Sequence, residues 1–269
     1  MRPILKLLRY VNSMPFSFTV KHYFPFDSVG HSLKNGDLIS AESWDALRES
    51  HPHFSISTDR EQWLLAANGK LKKDGQGGSM KNAADSVVRV LEKLKVTSLV
   101  SVGVGGAGLE YNINRLKPEI NLTVSEYSRV SVDNLKKVFL ESDNILMFDI
   151  KDGDWKDLSR GKDLNKTLFL MYRVDIGFSD NEWKNIFRNM WNAKIENILI
   201  VACGTLTARG LFNRIFQIIK WKFSATPLTF SGYLRTEKTL TDFWKHLYSF
   251  DDADCGGLRS FVLKRINNE

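Results

Sequence analysis

Residues 97–110 constrain the fold of this 269-residue chain more than any other stretch. They read TSLVSVGVGGAGLE, a short apolar run followed by four glycines within six positions. The apolar run predicts a buried strand, and the residues after the glycines predict the start of a helix. Glycine allows a sharp turn and a close backbone approach to a ligand, because it has no Cβ. A strand, a glycine-rich turn and a helix N-terminus together predict a site for a nucleotide-like cofactor.

Short apolar strands alternate with helices from residue 96 onwards. This alternation predicts a parallel sheet that helices cover on both faces. The predicted strands are 98–102, 122–126, 145–148, 167–172 and 197–202. The predicted helices are 79–95, 108–116, 130–141, 181–191 and 208–220. Two more predicted strands follow at 228–234 and 258–265, with a helix at about 240–247 between them.

The first 80 residues differ from the rest, because they are rich in aromatic side chains and poor in periodic apolar runs. Helices are predicted there at 41–49 and 59–67, the second with a capping box between Thr58 and Glu61. We therefore divide the chain into an N-terminal cap, 1–80, and a main domain, 81–269. Residues 74–79 fit either a linker or a lid over the cofactor site. The pair His51 and His53 is not enough to predict a metal site.

A carboxylate at the end of the second predicted strand adds to the glycine-rich turn. Glu126 follows Gly108 by 18 residues, and in this position it can accept hydrogen bonds from both ribose hydroxyls. The GxGxxG pattern and this carboxylate fit a dinucleotide as well as S-adenosylmethionine. The third predicted strand ends in Asp149 and Ile150. This acidic-apolar pair favours S-adenosylmethionine over a dinucleotide.

With these residues the chain resembles the class I S-adenosylmethionine-dependent methyltransferases over about residues 80–269. The resemblance implies an α/β, Rossmann-like fold: a seven-stranded, mostly parallel sheet with an antiparallel last strand, helices on both faces, and an N-terminal cap. Strands 228–234 and 258–265 match the last two strands of that family. The resemblance also implies an S-adenosyl-L-methionine site formed by Ser101, Gly103, Gly105, Ala107, Glu126, Tyr127, Asp149 and Ile150.

Two positions depart from the family's pattern. The family usually has Asp or Glu two residues before the first glycine, where this chain has Ser101. A hydroxyl can form a hydrogen bond there, but it brings no charge to the cofactor's ammonium group. Either another residue supplies that charge or the affinity for the cofactor is lower. The family's third glycine falls on Ala107.

In this fold the acceptor binds at the carboxyl ends of the fourth and fifth strands. Tyr172, Arg173 and Asp175 lie at the end of the fourth and are the first catalytic candidates, with Asp175 as general base and Arg173 binding an anionic group. A helix-capping aspartate and a surface arginine are the alternatives. His246 is a further candidate base, with a structural role on an aromatic helix as its alternative. Cys203, after the fifth strand, is predicted to be a small buried residue rather than a nucleophile.

These residues predict methyl transfer to a small or medium acceptor, with O-methylation favoured. An Asn/Asp-Pro-Pro-Tyr motif, typical of methylation at the amino group of a base, does not follow the fourth strand. Two alternatives stay open: an NAD-dependent oxidoreductase, and a degenerate domain that acts as a binding or scaffold module, for RNA for example. A small-molecule or glycan-type acceptor is the predicted partner. The formal net charge of +7 permits nucleic acid without favouring it.

Cysteine usage and hydropathy bear on the location of the chain. Cys203 and Cys255 are far apart in the sequence, which predicts free thiols and a cytoplasmic protein. The sequence contains no apolar run long enough for a transmembrane helix. Residues 208–223 are basic and amphipathic, and we expect them to cover the sheet. Contact with a membrane surface or a partner is the alternative. The apolar face is formed by Leu211, Phe212, Ile215, Phe216 and Ile219.

Overall fold

The computed structural model describes residues 14–25, 40–50, 55–68, 78–142, 144–223 and 228–266. The strands in these ranges are β1 Thr19–Pro25, β2 Ser98–Val102, β3 Asn121–Glu126, β4 Asn144–Met147, β5 Thr167–Tyr172, β6 Asn197–Val201, β7 Leu228–Arg235, β8 Tyr248–Cys255 and β9 Leu258–Arg265. The α-helices are α1 Ala41–Ser50, α2 Arg60–Ala67, α3 Gly78–Leu94, α4 Gly108–Leu116, α5 Arg129–Val138, α6 Trp155–Ser159, α7 Asp180–Asn192, α8 Ala208–Phe223 and α9 Glu237–Asp242.

Seven of the strands form one sheet in the order β4-β3-β2-β5-β6-β9-β8. Strands β2 to β6 are parallel, and β9 is antiparallel to both of its neighbours. The predicted fold class, a mostly parallel seven-stranded sheet whose last strand is antiparallel, is confirmed. Because the carboxyl ends of β2 to β6 meet at one edge, the segments that follow these strands are brought together there.

The sixth strand of the sheet in chain order is β8, which the sequence analysis did not predict. The strand predicted at 228–234 does form, but as β7 it pairs with β1 in a separate two-stranded ribbon. Its assignment to the main sheet was therefore wrong. β8 is one of the two edge strands, and its exposed Asp251, Asp252 and Asp254 have low strand propensity. The helix predicted at 240–247 is the shorter and earlier α9.

Both faces of the sheet are covered by helices. Leu168 and Leu170 of β5 pack on one face with residues of α3, α4 and α5. Phe169 and Met171 pack on the other face with residues of α6 and α7. Successive strand residues point to opposite faces, and a strand buried on both faces reads as a continuous apolar run. For this reason the central strands were predictable from the sequence.

The two helices of the N-terminal segment pack against the helices that follow β2 and β3. α1 contacts α5, and α2 contacts α4 and α5. Trp63 of α2 is buried against the rings of Tyr111 and Phe139. The predicted capping box was wrong, because Asp59 rather than Thr58 is the N-cap of α2. The division of the chain at residue 80 stays a prediction.

The antiparallel ribbon of β1 and β7 packs on the turn after β5. Thr19 of β1 lies opposite Arg235 of β7. Gly232 has a φ of +122°, and a Cβ there would overlap the carbonyl oxygen of Ile176. Only glycine lets the ribbon approach the turn so closely.

Helix α8 does not cover the sheet, which corrects the expectation for residues 208–220. Its inner side is only half-buried, at Leu211 and Ile218, whereas Phe212 and Phe216 are exposed. The face of the sheet next to β8 is covered instead by α3. None of the helices in the described ranges is both long enough and apolar enough to cross a membrane.

Candidate functional site

The glycine-rich turn joins β2 to α4 at the carboxyl edge of the sheet. Gly103, Gly105 and Ala107 have φ angles of +72°, +56° and +55°, in the left-handed region that favours glycine. A Cβ on Gly103 would lie 2.6 Å from Cγ1 of Val174, the residue after Arg173. The N–H of Gly103 donates to the carbonyl oxygen of Ser125 at 2.8 Å. The turn is thus held between β3 and the segment after β5.

Glu126 ends β3 directly beside this turn. Its Oε2 accepts the backbone N–H of Gly105 at 2.6 Å, and its Oε1 accepts that of Ser128, the N-cap of α5, at 3.4 Å. The residue is 9% exposed. A carboxylate offers about four acceptor positions. Two of them are therefore left for other donors, such as a pair of ribose hydroxyls.

A second carboxylate lies below the turn, beside Ser101. The Ser101 hydroxyl donates to Oε1 of Glu110 at 2.6 Å. Glu110 is 1% exposed, and its Oε2 has no hydrogen-bond partner within the described ranges. Burial raises the pKa of Glu110 to about 7, and the nearby negative charge of Glu126 contributes to the rise. A carboxylate from the first turn of α4 thus lies beside position 101.

No motif in the sequence indicated Glu110, although it stands two residues after Gly108. An acidic residue in the first turn of a helix is common, because it interacts favourably with the helix dipole. For this reason the position of Glu110 in the sequence did not indicate a role in the site. Its proximity to Ser101 depends on the path of the glycine-rich turn, which is set by three positive φ angles.

Asp149 and Ile150 follow β4 at the same edge of the sheet. Asp149 is half-buried, and its Oδ1 accepts the N–H of Lys151 at 2.8 Å. Ile150 is buried, and its Cδ1 lies 3.6 Å from the position that a Cβ on Gly103 would occupy. Tyr127 is half-buried at the end of β3. The structure therefore brings the glycine-rich turn together with the segments after β3 and β4.

The N-terminal segment adds a guanidinium to this region. Nη2 of Arg48, in α1, lies 3.4 Å from the position that a Cβ on Gly105 would occupy. Burial lowers the pKa of Arg48, and the charge of Glu126 acts in the opposite direction. Nε1 of Trp63 donates to the carbonyl oxygen of Gly106 at 2.9 Å. No motif in the sequence indicated Arg48, because its position depends on how α1 packs against α5.

Tyr172, Arg173 and Asp175 lie at the carboxyl end of β5, on the same edge. Asp175 is 4% exposed, and its Oδ1 accepts the backbone N–H of Cys203 at 2.6 Å. Burial raises the pKa of the Asp175 carboxyl. Arg173 is exposed and has a φ of +62°, which is uncommon for a residue other than glycine. Burial also raises the pKa of the half-buried Tyr172.

The structure decides two of the open alternatives at this end of the sheet. Ser179 is the N-cap of α7 and forms a capping box with Glu182, so Asp175 is not a helix cap. The thiol of Cys203 lies 3.0 Å from the carbonyl oxygen of Arg173, to which it donates. Burial raises the pKa of this thiol. A protonated thiol is a poor nucleophile.

Arg235, which the sequence analysis did not single out, holds the turn after β5. It is 2% exposed. Its Nε donates to Oδ1 of Asp180 at 2.8 Å, and its Nη1 donates to the carbonyl oxygen of Asp175 at 2.7 Å. Its Nη2 donates to the carbonyl oxygen of Phe178. Because these partners follow β5, the ribbon fixes the position of Asp175.

His246 is far from these residues. It is exposed on the turn between α9 and β8. β8 begins beside the amino end of β6, at the edge opposite to Glu126 and Asp175. His246 therefore lies outside the candidate site.

Two features of the sequence lie outside the described residues. They are residues 74–77 of the possible lid at 74–79, and the pair His51 and His53. Within the described ranges, no group of three or more His, Cys, Asp or Glu side chains is placed to hold a metal ion.

Many solved structures with a similar fold are methyltransferases. The match to human N-acetylserotonin methyltransferase in complex with S-adenosylmethionine (SAM) has a TM-score of 0.53 and 12% identity, and covers 90% of this chain and 66% of that one. The match to magnesium protoporphyrin IX methyltransferase from Synechocystis PCC 6803, with bound S-adenosylhomocysteine (SAH), has a TM-score of 0.54 and 12% identity. It covers 85% of this chain and all of that one, 100%.

Neither a protein-family model nor a curated protein matches the sequence. At identities of 12%, the structural matches concern the fold. The chain has the class I S-adenosylmethionine-dependent methyltransferase fold.

Proposed function

We propose that this chain is an enzyme that transfers a methyl group from S-adenosyl-L-methionine to an oxygen atom of a small or medium acceptor. One observation carries the proposal. Oε2 of Glu126 lies 2.6 Å from the N–H of Gly105, which joins the glycine-rich turn to the carboxylate expected at the ribose. A backbone that comes so close to a strand-end carboxylate forms a compact polar cradle of the kind that nucleosides bind.

Each part of the cofactor has a chemically matching group along this edge. Glu126 would hold the ribose hydroxyls, and Asp149 with Ile150 would contact the adenine. The turn from Gly103 to Ala107 would lie against the methionine end. Oε2 of Glu110, which has no hydrogen-bond partner within the described ranges, would accept the ammonium group. Glu110 would then supply the charge that Ser101 lacks.

When bound, the cofactor supplies a methyl group on a positively charged sulfur, which needs no further activation. The chain's task is to position the acceptor and to take its proton. Asp175 is the proposed base, because burial raises the pKa of its carboxyl and thereby makes the ionised form more basic. The exposed Arg173, two residues earlier, would bind an anionic group of the acceptor. Tyr172 lies at the same strand end and is the third proposed acceptor-side residue.

A small-molecule acceptor is supported by the names of the similar structures. These name N-acetylserotonin in one case and magnesium protoporphyrin IX in the other. Residues 173–179, the described segment after β5, include one cation, Arg173, rather than the row of cations that a polynucleotide backbone requires.

Calorimetric titration with SAH and with NAD tests the proposal. We expect SAH to bind and NAD to leave no heat signal. Glu126→Ala should weaken SAH binding by about 1–3 kcal/mol, the scale of a lost hydrogen bond to a charged group. Glu92→Ala, which removes an exposed glutamate on α3, is the matched control and should bind SAH like the wild type.

Each contrary result identifies another function. Binding of NAD without SAH would indicate an oxidoreductase. Binding of neither would indicate a degenerate domain that serves as a binding or scaffold module. Wild-type affinity in Glu126→Ala would remove the ribose assignment.

A further inference from the structure

Helix α8 exposes a continuous apolar stripe. Large apolar side chains recur at helical spacing along one side, which places them on a single face. Their exposed fractions are 71% for Phe212, 50% for Ile215, 65% for Phe216, 47% for Ile219 and 89% for Phe223. Within its described part, α8 has no fully buried side chain. Single exposed apolar residues are ordinary, whereas a contiguous patch marks a surface that binds something.

The charge of the helix indicates what it binds. The 16 residues of α8 include Arg209, Arg214, Lys220 and Lys222, and they include no Asp or Glu. Aromatic and aliphatic residues on one face, combined with Lys and Arg as the only charged residues, are typical of helices that lie in the interface of an anionic membrane. We propose that α8 docks this chain on an anionic lipid bilayer, with the stripe inserted between the lipids and the exposed Arg209 and Lys220 among the headgroups.

The charge also argues against a second copy of this chain as the occupant. A symmetric dimer that buries the stripe would pack α8 of one copy against α8 of the other. Each helix carries four positive charges and no negative ones, so the pair would repel. Anionic headgroups complement the same charges.

The attachment of α8 leaves this face free to dock. Leu211, Arg214 and Ile218 form its half-buried inner side. Nη2 of Arg214 lies 3.0 Å from Nε2 of His22 in β1. The ribbon to which β1 belongs packs on the turn after β5. The inner side of α8 is therefore attached, through the ribbon, to the turn that follows β5.

Co-sedimentation of the full chain with vesicles tests this proposal. Vesicles of phosphatidylcholine mixed with phosphatidylserine should carry the protein down, and vesicles of phosphatidylcholine alone should carry down much less. Added salt should weaken the binding, because it screens the headgroup charge. The double variant Phe212→Gln/Phe216→Gln should bind the mixed vesicles about tenfold more weakly or worse, since it removes two large apolar side chains from the inserted face.

The matched control is Leu116→Gln/Leu140→Gln, which removes two exposed apolar side chains outside α8. It should bind vesicles like the wild type. Both double variants should keep the wild-type thermal unfolding midpoint, because all four side chains are exposed. Failure of the wild type to bind mixed vesicles would overturn the proposal, as would equal losses in the two variants. Concentration-dependent association that only the α8 variant abolishes, without vesicle binding, would assign the stripe to a second copy and would also overturn it.

Discussion

At the scale of single residues, Glu110 gives the proposed cofactor site a pH dependence. Burial raises its pKa to about 7, so the carboxyl is largely protonated at slightly acid pH. An ammonium group beside it favours the ionised form, and binding therefore releases a proton below pH 7. SAH affinity should rise by up to about tenfold per pH unit as the pH approaches 7 from below, and should then level off.

Calorimetry across this range measures the effect. Glu110→Gln keeps an oxygen that can accept from Ser101 but cannot ionise. It should bind SAH more weakly than the wild type at neutral pH, and its affinity should not change with pH in the same way. Parallel pH profiles for the two proteins would contradict the role assigned to Glu110.

Asp175 permits an equally specific test of the proposed base. Asn in its place still offers an oxygen to the N–H of Cys203, which lies 2.6 Å from Oδ1, but it cannot take a proton. Asp175→Asn should lower kcat by about 10²–10⁴-fold, the usual contribution of a general base. Its SAH affinity should stay at the wild-type value. The measurement is methyl transfer to a panel of small phenols and carboxylic acids, and an unchanged kcat would leave Asp175 a structural role.

At the scale of elements, His22 couples the ribbon to α8 and makes this contact sensitive to acid. Burial, with a smaller effect of Arg214, lowers the pKa of His22 to about 4. In the unfolded chain the histidine takes up a proton near pH 6.5, whereas in the folded chain it stays neutral until about pH 4. The unfolded state therefore binds more protons within this window. The free energy of unfolding is highest above pH 6.5 and falls as the pH drops towards 4.

Urea unfolding at neutral and at acid pH measures the loss. The wild type should lose about 1–3 kcal/mol more than His22→Gln between these conditions. His246→Gln, which replaces an exposed histidine on the turn before β8, is the matched control and should lose as much as the wild type. An equal pH dependence in wild type and His22→Gln would contradict the assignment.

Local patterns predicted the elements whose environment is uniform. β2, β5 and β6 are buried on both faces, and their apolar runs showed this directly. The prediction that α8 covers the sheet was wrong, because the surroundings of α8 cannot be read from its pattern. Its period-3.6 pattern marks an apolar face, but the pattern is the same whether that face meets the sheet or a lipid surface. The apolar period of a helix therefore does not by itself identify what covers its apolar face.

At the scale of the whole molecule, the order of strands and helices was enough to predict the sheet and the residues at the carboxyl ends of its parallel strands. Gly105, Glu126 and Ile150 each end or follow a parallel strand, so topology alone placed them on one edge. Arg48 and Arg235 reach the same edge from α1 and from the ribbon. Such contacts depend on long-range packing, and no local motif predicts them.

The pairing of residues 19–25 with residues 228–235 has a consequence for synthesis. The strands and helices around the glycine-rich turn are complete once residue 172 has left the ribosome, because β2, β3, β4 and β5 are by then available. β1 must wait for β7, a loop closure that spans most of the chain. Arg235 joins the turn that holds Asp175 only at that stage. A growing chain thus completes the elements that would bind the methyl donor before those that would position the acceptor.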